Sequence, residues 1–252
     1  MGLVYAIANQ KGGVGKTTTT VNLAACLAAT ENQTLIVDLD AQCNATVAVG
    51  LDRDLRPSSY DCLCGKTSLA EAARPAGADN LWIVPANRDL AGAAVELPGI
   101  ERSEYRLRES LGPVRERFTA TVLDCPPSLG PVTVNALTAA DRAIVPVQAE
   151  YLALEGLVQF LETVETVRRS LNPSLVLTGL IITMADDRTR LSQDVERELR
   201  EHFPELVFDA VVPRSVRLAE APGFGKPVID HAPDSRGAHA YRELAEQVLS
   251  RG

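Results

Sequence analysis

Residues 11–18 read Lys-Gly-Gly-Val-Gly-Lys-Thr-Thr, set between an apolar run, Leu3–Ala8, and an Ala- and Leu-rich stretch from Lys16 to Ala29. A strand that turns through glycines into a helix constrains the fold more than any other feature of this chain. Glycines let successive backbone N–H groups turn toward one point, and the helix N-terminus adds partial positive charge there. The pattern predicts a phosphate loop. Gly12, Gly13, Val14 and Gly15 form the cradle, Lys16 reaches the β- and γ-phosphates of ATP, and the Thr17 hydroxyl ligates Mg²⁺, with Thr18 beside them.

The rest of the chain repeats the same alternation. Apolar, β-branched runs predict strands at Leu3–Ala8, Thr34–Leu39, Leu81–Pro85, Thr121–Asp124, Ala143–Val147, Val176–Thr183 and Val207–Val212. Several are nearly continuous, such as Leu35-Ile36-Val37, as strands covered on both faces must be. Between them lie helical patterns: Leu154, Leu157, Leu161, Val164 and Leu171; then Leu191, Val195 and Leu199; and last Tyr241, Leu244, Ala245, Val248 and Leu249. The expected fold is α/β, a doubly wound and mostly parallel sheet with helices on both faces, in a single domain over residues 1–252. Residues 52–80 are richer in Pro, Gly and Ser and read as loops and short helices, not as an interdomain linker.

Composition narrows the setting. Apolar residues make up 46% and aromatics only 4%, so the core is expected to be Leu, Val, Ile and Ala. The N-terminus has no basic leader, and no apolar run reaches the roughly 18 residues of a membrane span, so a cytoplasmic protein is expected. Five cysteines, at 26, 43, 62, 64 and 125, lack zinc or redox spacing. The net charge of −8 argues mildly against nucleic acid, but screening limits exposed charges to about 8 Å, so a local basic patch can still act.

Carboxylates complete the site. Alternation along Ile36-Val37-Asp38-Leu39-Asp40 puts Asp38 and Asp40 on one face at the carboxyl end of the second strand, where open α/β sheets bind ligands. Val122-Leu123-Asp124 delivers a third acid from another strand. Carboxylates at buried strand ends are costly without a cation, and Mg²⁺ is the natural partner.

A second lysine at the start of the loop makes a resemblance specific. Asn9-Gln10-Lys11-Gly-Gly-Val-Gly-Lys16-Thr-Thr resembles the deviant Walker A box of the ParA/MinD superfamily of ATPases. The resemblance implies that Lys11 crosses a dimer interface to phosphates held by the other subunit, so Lys11, Lys16 and Asp40 are the expected catalytic residues. It further implies that Asp40 orients the attacking water, Asp124 holds Mg²⁺ through water, and Asp38 supports the metal shell. A cation supplied by a second subunit would act on charge spread over phosphate oxygens.

Beyond the loop, similarity to the small chromosomal type of ParA, also called Soj, runs almost the whole length. It is carried by Asp38–Thr46, Asp124–Gly130, Asn135–Asp141, Pro146–Gly156, Val212–Pro222, Gly225–Ile229 and Ser235–Gly237. That resemblance implies a homodimer when ATP-bound, non-specific binding of double-stranded DNA, a ParB-type stimulating partner, association with the nucleoid, and no membrane. It places DNA contacts on Arg188 and Arg217, extended by Arg190, Arg214 and Lys226, and adenine contacts on Pro213 and Ser215. The alternative for these arginines is pairing with Asp186, Asp187, Glu196 or Glu220. Ala41, Cys43 and Ser215 depart from the residues usual in the family, Pro, Gly and Asn. With the loop beginning at residue 11, an N-terminal helix-turn-helix is not expected.

Two rivals share the loop. A MinD-like membrane-cycling ATPase needs a basic amphipathic C-terminal helix, whereas the last helical pattern here carries Glu243 and Glu246. An iron–sulfur reductase needs two cysteines placed to bridge a cluster between subunits, which Cys125, Cys62 and Cys64 do not match.

Overall fold

A computed structural model describes residues 2–150 and 153–251. Its strands are β1 (Leu3–Ile7), β2 (Thr34–Asp38), β3 (Arg74–Pro75), β4 (Leu81–Val84), β5 (Ala120–Asp124), β6 (Arg142–Gln148), β7 (Val176–Ala185) and β8 (Val207–Pro213). They form one sheet in the order β3-β4-β2-β5-β1-β6-β7-β8, parallel throughout except for β3, which runs antiparallel to β4 at the edge.

All seven expected strands are present. The eighth, β3, has two residues, one of them proline, and carries no apolar pattern to read. Two boundaries matter below: β2 stops at Asp38, one residue short of the expectation, and β7 continues to Ala185.

Strand alternation divides the core. Val4, Ala6, Leu35, Val37 and Leu123 pack on one face of the sheet, while Tyr5, Ile7, Ile36 and Val122 pack on the other. Each face is roofed by helices, so both sets of side chains leave water, the condition that parallel sheets require. On the first face lie the helices Pro131–Ala139 and Ala153–Ser170, the latter burying Leu157, Phe160 and Val164. On the second lie Lys16–Ala28 and Arg236–Ser250, which also pack against each other.

The helix Arg190–His202 buries Val195 and Leu199, but Leu191 of the same expected stripe is exposed, one turn too early to reach the core. Residues 52–80 contain the short helices Ser59–Leu63 and Leu69–Ala72 and bury Cys62, Leu63, Leu69 and Ala72 in the first core. This segment is part of the packing, as expected of loops and short helices.

Candidate nucleotide site and the basic face beside it

β1, at the centre of the sheet, delivers the glycine loop at its carboxyl end. Gly13 and Gly15 have φ of 75° and 85°, left-handed values that side chains with a Cβ rarely adopt, and the helix Lys16–Ala28 begins directly after them. Neighbouring strands tie the loop down. The Thr183 hydroxyl of β7 donates to the Val14 carbonyl at 2.8 Å. Asn9 donates to the Pro146 carbonyl of β6 at 2.7 Å, and its side-chain oxygen accepts the Lys11 N–H at 3.0 Å. A loop fixed at these points presents its N–H groups without first having to be ordered.

The two lysines meet at the start of the loop. Lys16 is buried, and its ammonium donates to the Lys11 carbonyl at 2.9 Å. Burial pulls the Lys16 pKa down, and the negative charge of Asp124 opposes that shift. The Lys11 side chain is more than a third exposed, and its ammonium lies 3.6 Å from Glu150, two residues beyond the end of β6.

Asp38 and Asp124 are register partners across β2 and β5, both with no solvent exposure. Asp38 is fully engaged. It accepts the Asp40 N–H at 3.1 Å, the Thr46 N–H at 2.9 Å and the Thr46 hydroxyl at 2.7 Å. Burial still pushes its carboxyl up to about 6, against those hydrogen bonds. Asp124 is less well served. One oxygen accepts the Thr20 hydroxyl at 3.1 Å, and the other, Oδ2, is buried with no partner. Burial first, and then the charge of Asp38, raise its carboxyl well above the usual range, opposed by the nearby hydroxyls of Thr17 and Thr20, of which only Thr20 is within hydrogen-bond geometry.

That orphaned oxygen is what a cation would satisfy. Among the described residues, no group of three or more His, Cys, Asp and Glu side chains is placed to hold a metal. Mg²⁺, which takes one or two carboxylates and completes its shell with phosphates and water, suits Asp124 and the Thr17 hydroxyl.

Asp40 lies outside the strand alternation of β2. It lies two residues beyond the end of β2, in a loop, where its Oδ1 accepts the Gln42 N–H at 2.9 Å. There it lines a cavity of about 310 Å³ with Gly13, Gly15, Lys16 and Thr17. Asp38 does not line that cavity; its oxygens hold the Asp40 loop and the helix Asn44–Ala48. Of the two acids, Asp40 faces the cavity and Asp38 lies behind it, bonded to the Asp40 loop.

A second cavity, of about 240 Å³, shares Gly15, Thr18 and Met184 with the first. Pro213 and Ser215, the expected adenine contacts, line it together with Thr183, Leu218 and Tyr241. These last three and Met184 went unnoticed in the sequence. They come from separate segments, and no local pattern joins them. Met184 has φ of 53° where β7 ends, and the Tyr241 hydroxyl lies 3.2 Å from that of Thr19.

All five cysteines are free, and burial pushes the thiols of Cys26 and Cys62 up to about 12. Cys43, in place of the usual Gly, sits at φ 57° and precedes the helix Asn44–Ala48.

Arg188 and Arg217 follow the carboxyl ends of β7 and β8, which are register neighbours at Ala185 and Pro213. Both are exposed and both are paired. Arg188, 86% exposed, meets Asp186 at 2.8 Å, and Arg217 meets Glu220 at 2.9 Å. Of the acids weighed from the sequence, Asp186, Asp187 and Glu220 do take arginines on this face, Asp187 through Arg236.

Residues 2–177 match a family described as an AAA domain (AAA_31). The chromosome-partitioning ATPase Soj of Thermus thermophilus is 52% identical over 246 residues, covering 98% of this chain and 95% of that protein. The sporulation initiation inhibitor protein Soj of Bacillus subtilis is 47% identical over the full length of both. The chain belongs to the ParA/Soj family of chromosome-partitioning ATPases. Among solved structures, a cobyrinic acid a,c-diamide synthase from Mycobacterium smegmatis with bound ADP and magnesium superposes with a TM-score of 0.87. It is 38% identical and covers 99% of this chain and 94% of its own. Of the segments that carried the ParA resemblance, Asp38–Thr46, Asp124–Gly130 and Val212–Pro222 contribute residues to the two cavities, whereas Asn135–Asp141 runs to the amino end of β6, where Asp141 meets Arg115. Another, Pro146–Gly156, includes Tyr151 and Leu152, outside the described residues. Among the described residues no helix is long and apolar enough to cross a membrane.

Proposed function

We propose that this member of the ParA/Soj family binds ATP with Mg²⁺, dimerises in that state, holds double-stranded DNA without sequence preference, and hydrolyses the nucleotide under stimulation by a ParB-type partner. The observation that carries the reading is the meeting of Lys11, Lys16, Asp40 and the unsatisfied Asp124 around one glycine loop.

The roles follow from position. The N–H groups of Gly12–Thr18 and the Lys16 ammonium bind the phosphates, and the Thr17 hydroxyl and Asp124 hold the metal. Mg²⁺, when bound, neutralises charge on the phosphate oxygens. Asp40, on the loop pinned by Asp38, accepts a hydrogen bond from the attacking water and orients it. To reach a phosphate, Lys16 must leave the Lys11 carbonyl, so nucleotide binding frees the segment that carries the second lysine. Lys11 then serves the neighbouring subunit's phosphates, as a cation that acts only once the dimer exists. Pro213, Ser215 and their neighbours enclose the base.

The MinD-like alternative has less support. The helix Arg236–Ser250 buries Ala238, Tyr241, Leu244, Ala245 and Val248 against the protein, so this apolar side is already covered. The test is DNA binding with ATP, with ADP and without nucleotide, on wild type and Arg217→Ala, beside sedimentation with anionic liposomes. Binding in ATP alone, weakened by Arg217→Ala, is expected. Lipid binding without DNA binding would refute the reading.

A further inference from the structure

The face that carries Arg188 and Arg217 is compensated by its own acids. Arg188 with Asp186, Arg190 with Asp194, Arg217 with Glu220 and Arg236 with Asp187 all lie within ion-pair distance. One of these acids, Asp186, is fixed in place. Asp186 takes the Arg188 fork in two parallel bonds, from Nε at 2.9 Å and Nη2 at 2.8 Å, and accepts the Arg188 N–H at 3.1 Å. Its own backbone is pinned. The N–H donates to the Ser192 hydroxyl at 3.1 Å, and the carbonyl accepts the N–H and the hydroxyl of Thr189, each at 3.0 Å. Glu220 meets Arg217 at 2.9 Å from three residues along the same short segment, and the same oxygen lies 3.8 Å from His231 Nε2, beyond hydrogen-bond distance.

We propose that Asp186 and Glu220 are built-in competitors of the DNA phosphates and set how tightly this face holds a duplex. The inference rests on the reading that Arg188 and Arg217 contact DNA. A phosphate takes the same guanidinium donors that these carboxylates occupy, so binding is an exchange of one anion for another. Exposed ion pairs are cheap to exchange, which lets the duplex win. The displaced carboxylates cannot leave, and each remains within a Debye length of the phosphates, repelling them. Paired, the Asp186 carboxyl is held down at about 2 by the Arg188 guanidinium, and once displaced it is an exposed carboxylate, which is charged at neutral pH. On a chain of net charge −8, this keeps the affinity of one subunit low and makes firm binding depend on two subunits acting together.

The experiment measures the affinity of the ATP-loaded protein for a short duplex of unrelated sequence at several salt concentrations. Glu220→Gln and Asp186→Asn are compared with wild type, with Glu116→Gln as the control. Glu116 lines a cavity with Gly2 and Thr119 at the amino ends of the strands, opposite the arginine face, so it removes the same charge from the wrong place. Each of the first two substitutions is expected to tighten binding about 1.5- to 5-fold, and the control to change it by less than about 1.5-fold. Should Asp186→Asn disturb its loop, seen as a lowered melting temperature, Glu220→Gln alone decides. Wild type that binds DNA with no tightening in Glu220→Gln would overturn this inference and leave the DNA reading intact. Absence of binding in every form would overturn both. Tightening equal to that of Glu116→Gln would reduce the effect to net charge and overturn the assignment to these two acids.

Discussion

Asp124 is a carboxylate buried in an unfavourable setting, and replacing it by asparagine should make the nucleotide-free protein more stable. Its Oδ2 has no partner, and the carboxylate of Asp38 is its neighbour across the sheet. An unsatisfied buried polar group costs about 1–3 kcal/mol, more when charged. Burial and the charge of Asp38 both disfavour the ionised form of Asp124. Asp124→Asn should therefore gain on the order of 1–3 kcal/mol, and at about 2–4 °C per kcal/mol the melting temperature should rise by several degrees.

The pH dependence has a fixed sign. A carboxyl whose folded pKa is raised lends stability while protonated, fully below about 4, and loses it as pH rises through about 6. The variant should flatten the part of that decline contributed by Asp124. Thermal unfolding without nucleotide, from pH 4 to 8 in steps, and then with ATP and Mg²⁺, is the assay. With ligand at about 100 times Kd the wild type should gain about 2.7 kcal/mol, and the variant should lose the part of the gain that depends on Mg²⁺. A melting temperature below wild type in the free protein, or an undiminished response to Mg²⁺, would refute the reasoning.

Other outcomes follow from the same geometry. Asp40→Ala should retain ATP binding, measured by calorimetry, and lose turnover by about two orders of magnitude or more; unchanged turnover would move the water-orienting role elsewhere. Thr183→Val removes the 2.8 Å bond to the Val14 carbonyl, and should weaken nucleotide binding about 5-fold through loss of roughly 1 kcal/mol of loop ordering. If each subunit of a dimer gives two phosphate contacts, DNA affinity should fall about 10²-fold between 50 and 200 mM salt, and binding insensitive to salt would contradict the contacts at Arg188 and Arg217.

Strands were legible because a parallel sheet buries both faces, leaving runs such as Ile36-Val37 with no polar interruption. The phosphate loop was legible because its glycines answer a local backbone demand, realised at Gly13 and Gly15. Legibility fails where geometry is not local. The alternation that joined Asp38 to Asp40 ran past the last strand residue, and only the fold separates a carboxylate that pins a loop from one that faces a cavity. The base-side cavity gathers Gly15, Met184, Pro213 and Tyr241 from four segments. The left-handed turn at Met184 has no glycine to announce it. At the arginine face, sequence offered both DNA contact and ion pairing. The fold supplies the pairs while leaving Arg188 and Arg217 exposed, so the two readings are compatible.

The central claim is that each active site is finished by a lysine from another subunit, and mixing two inactive variants tests it. Lys11→Ala lacks the donated cation and Asp40→Ala lacks the water-orienting group, so each alone should be inactive. In a mixed dimer, the Lys11→Ala subunit keeps its own Asp40 and receives Lys11 from its partner. Random pairing should then restore up to about one quarter of wild-type turnover, since half the dimers are mixed and each has one complete site. If Lys11 acts within its own subunit, no mixed dimer contains a complete site, and a mixture as inactive as its components would contradict the account.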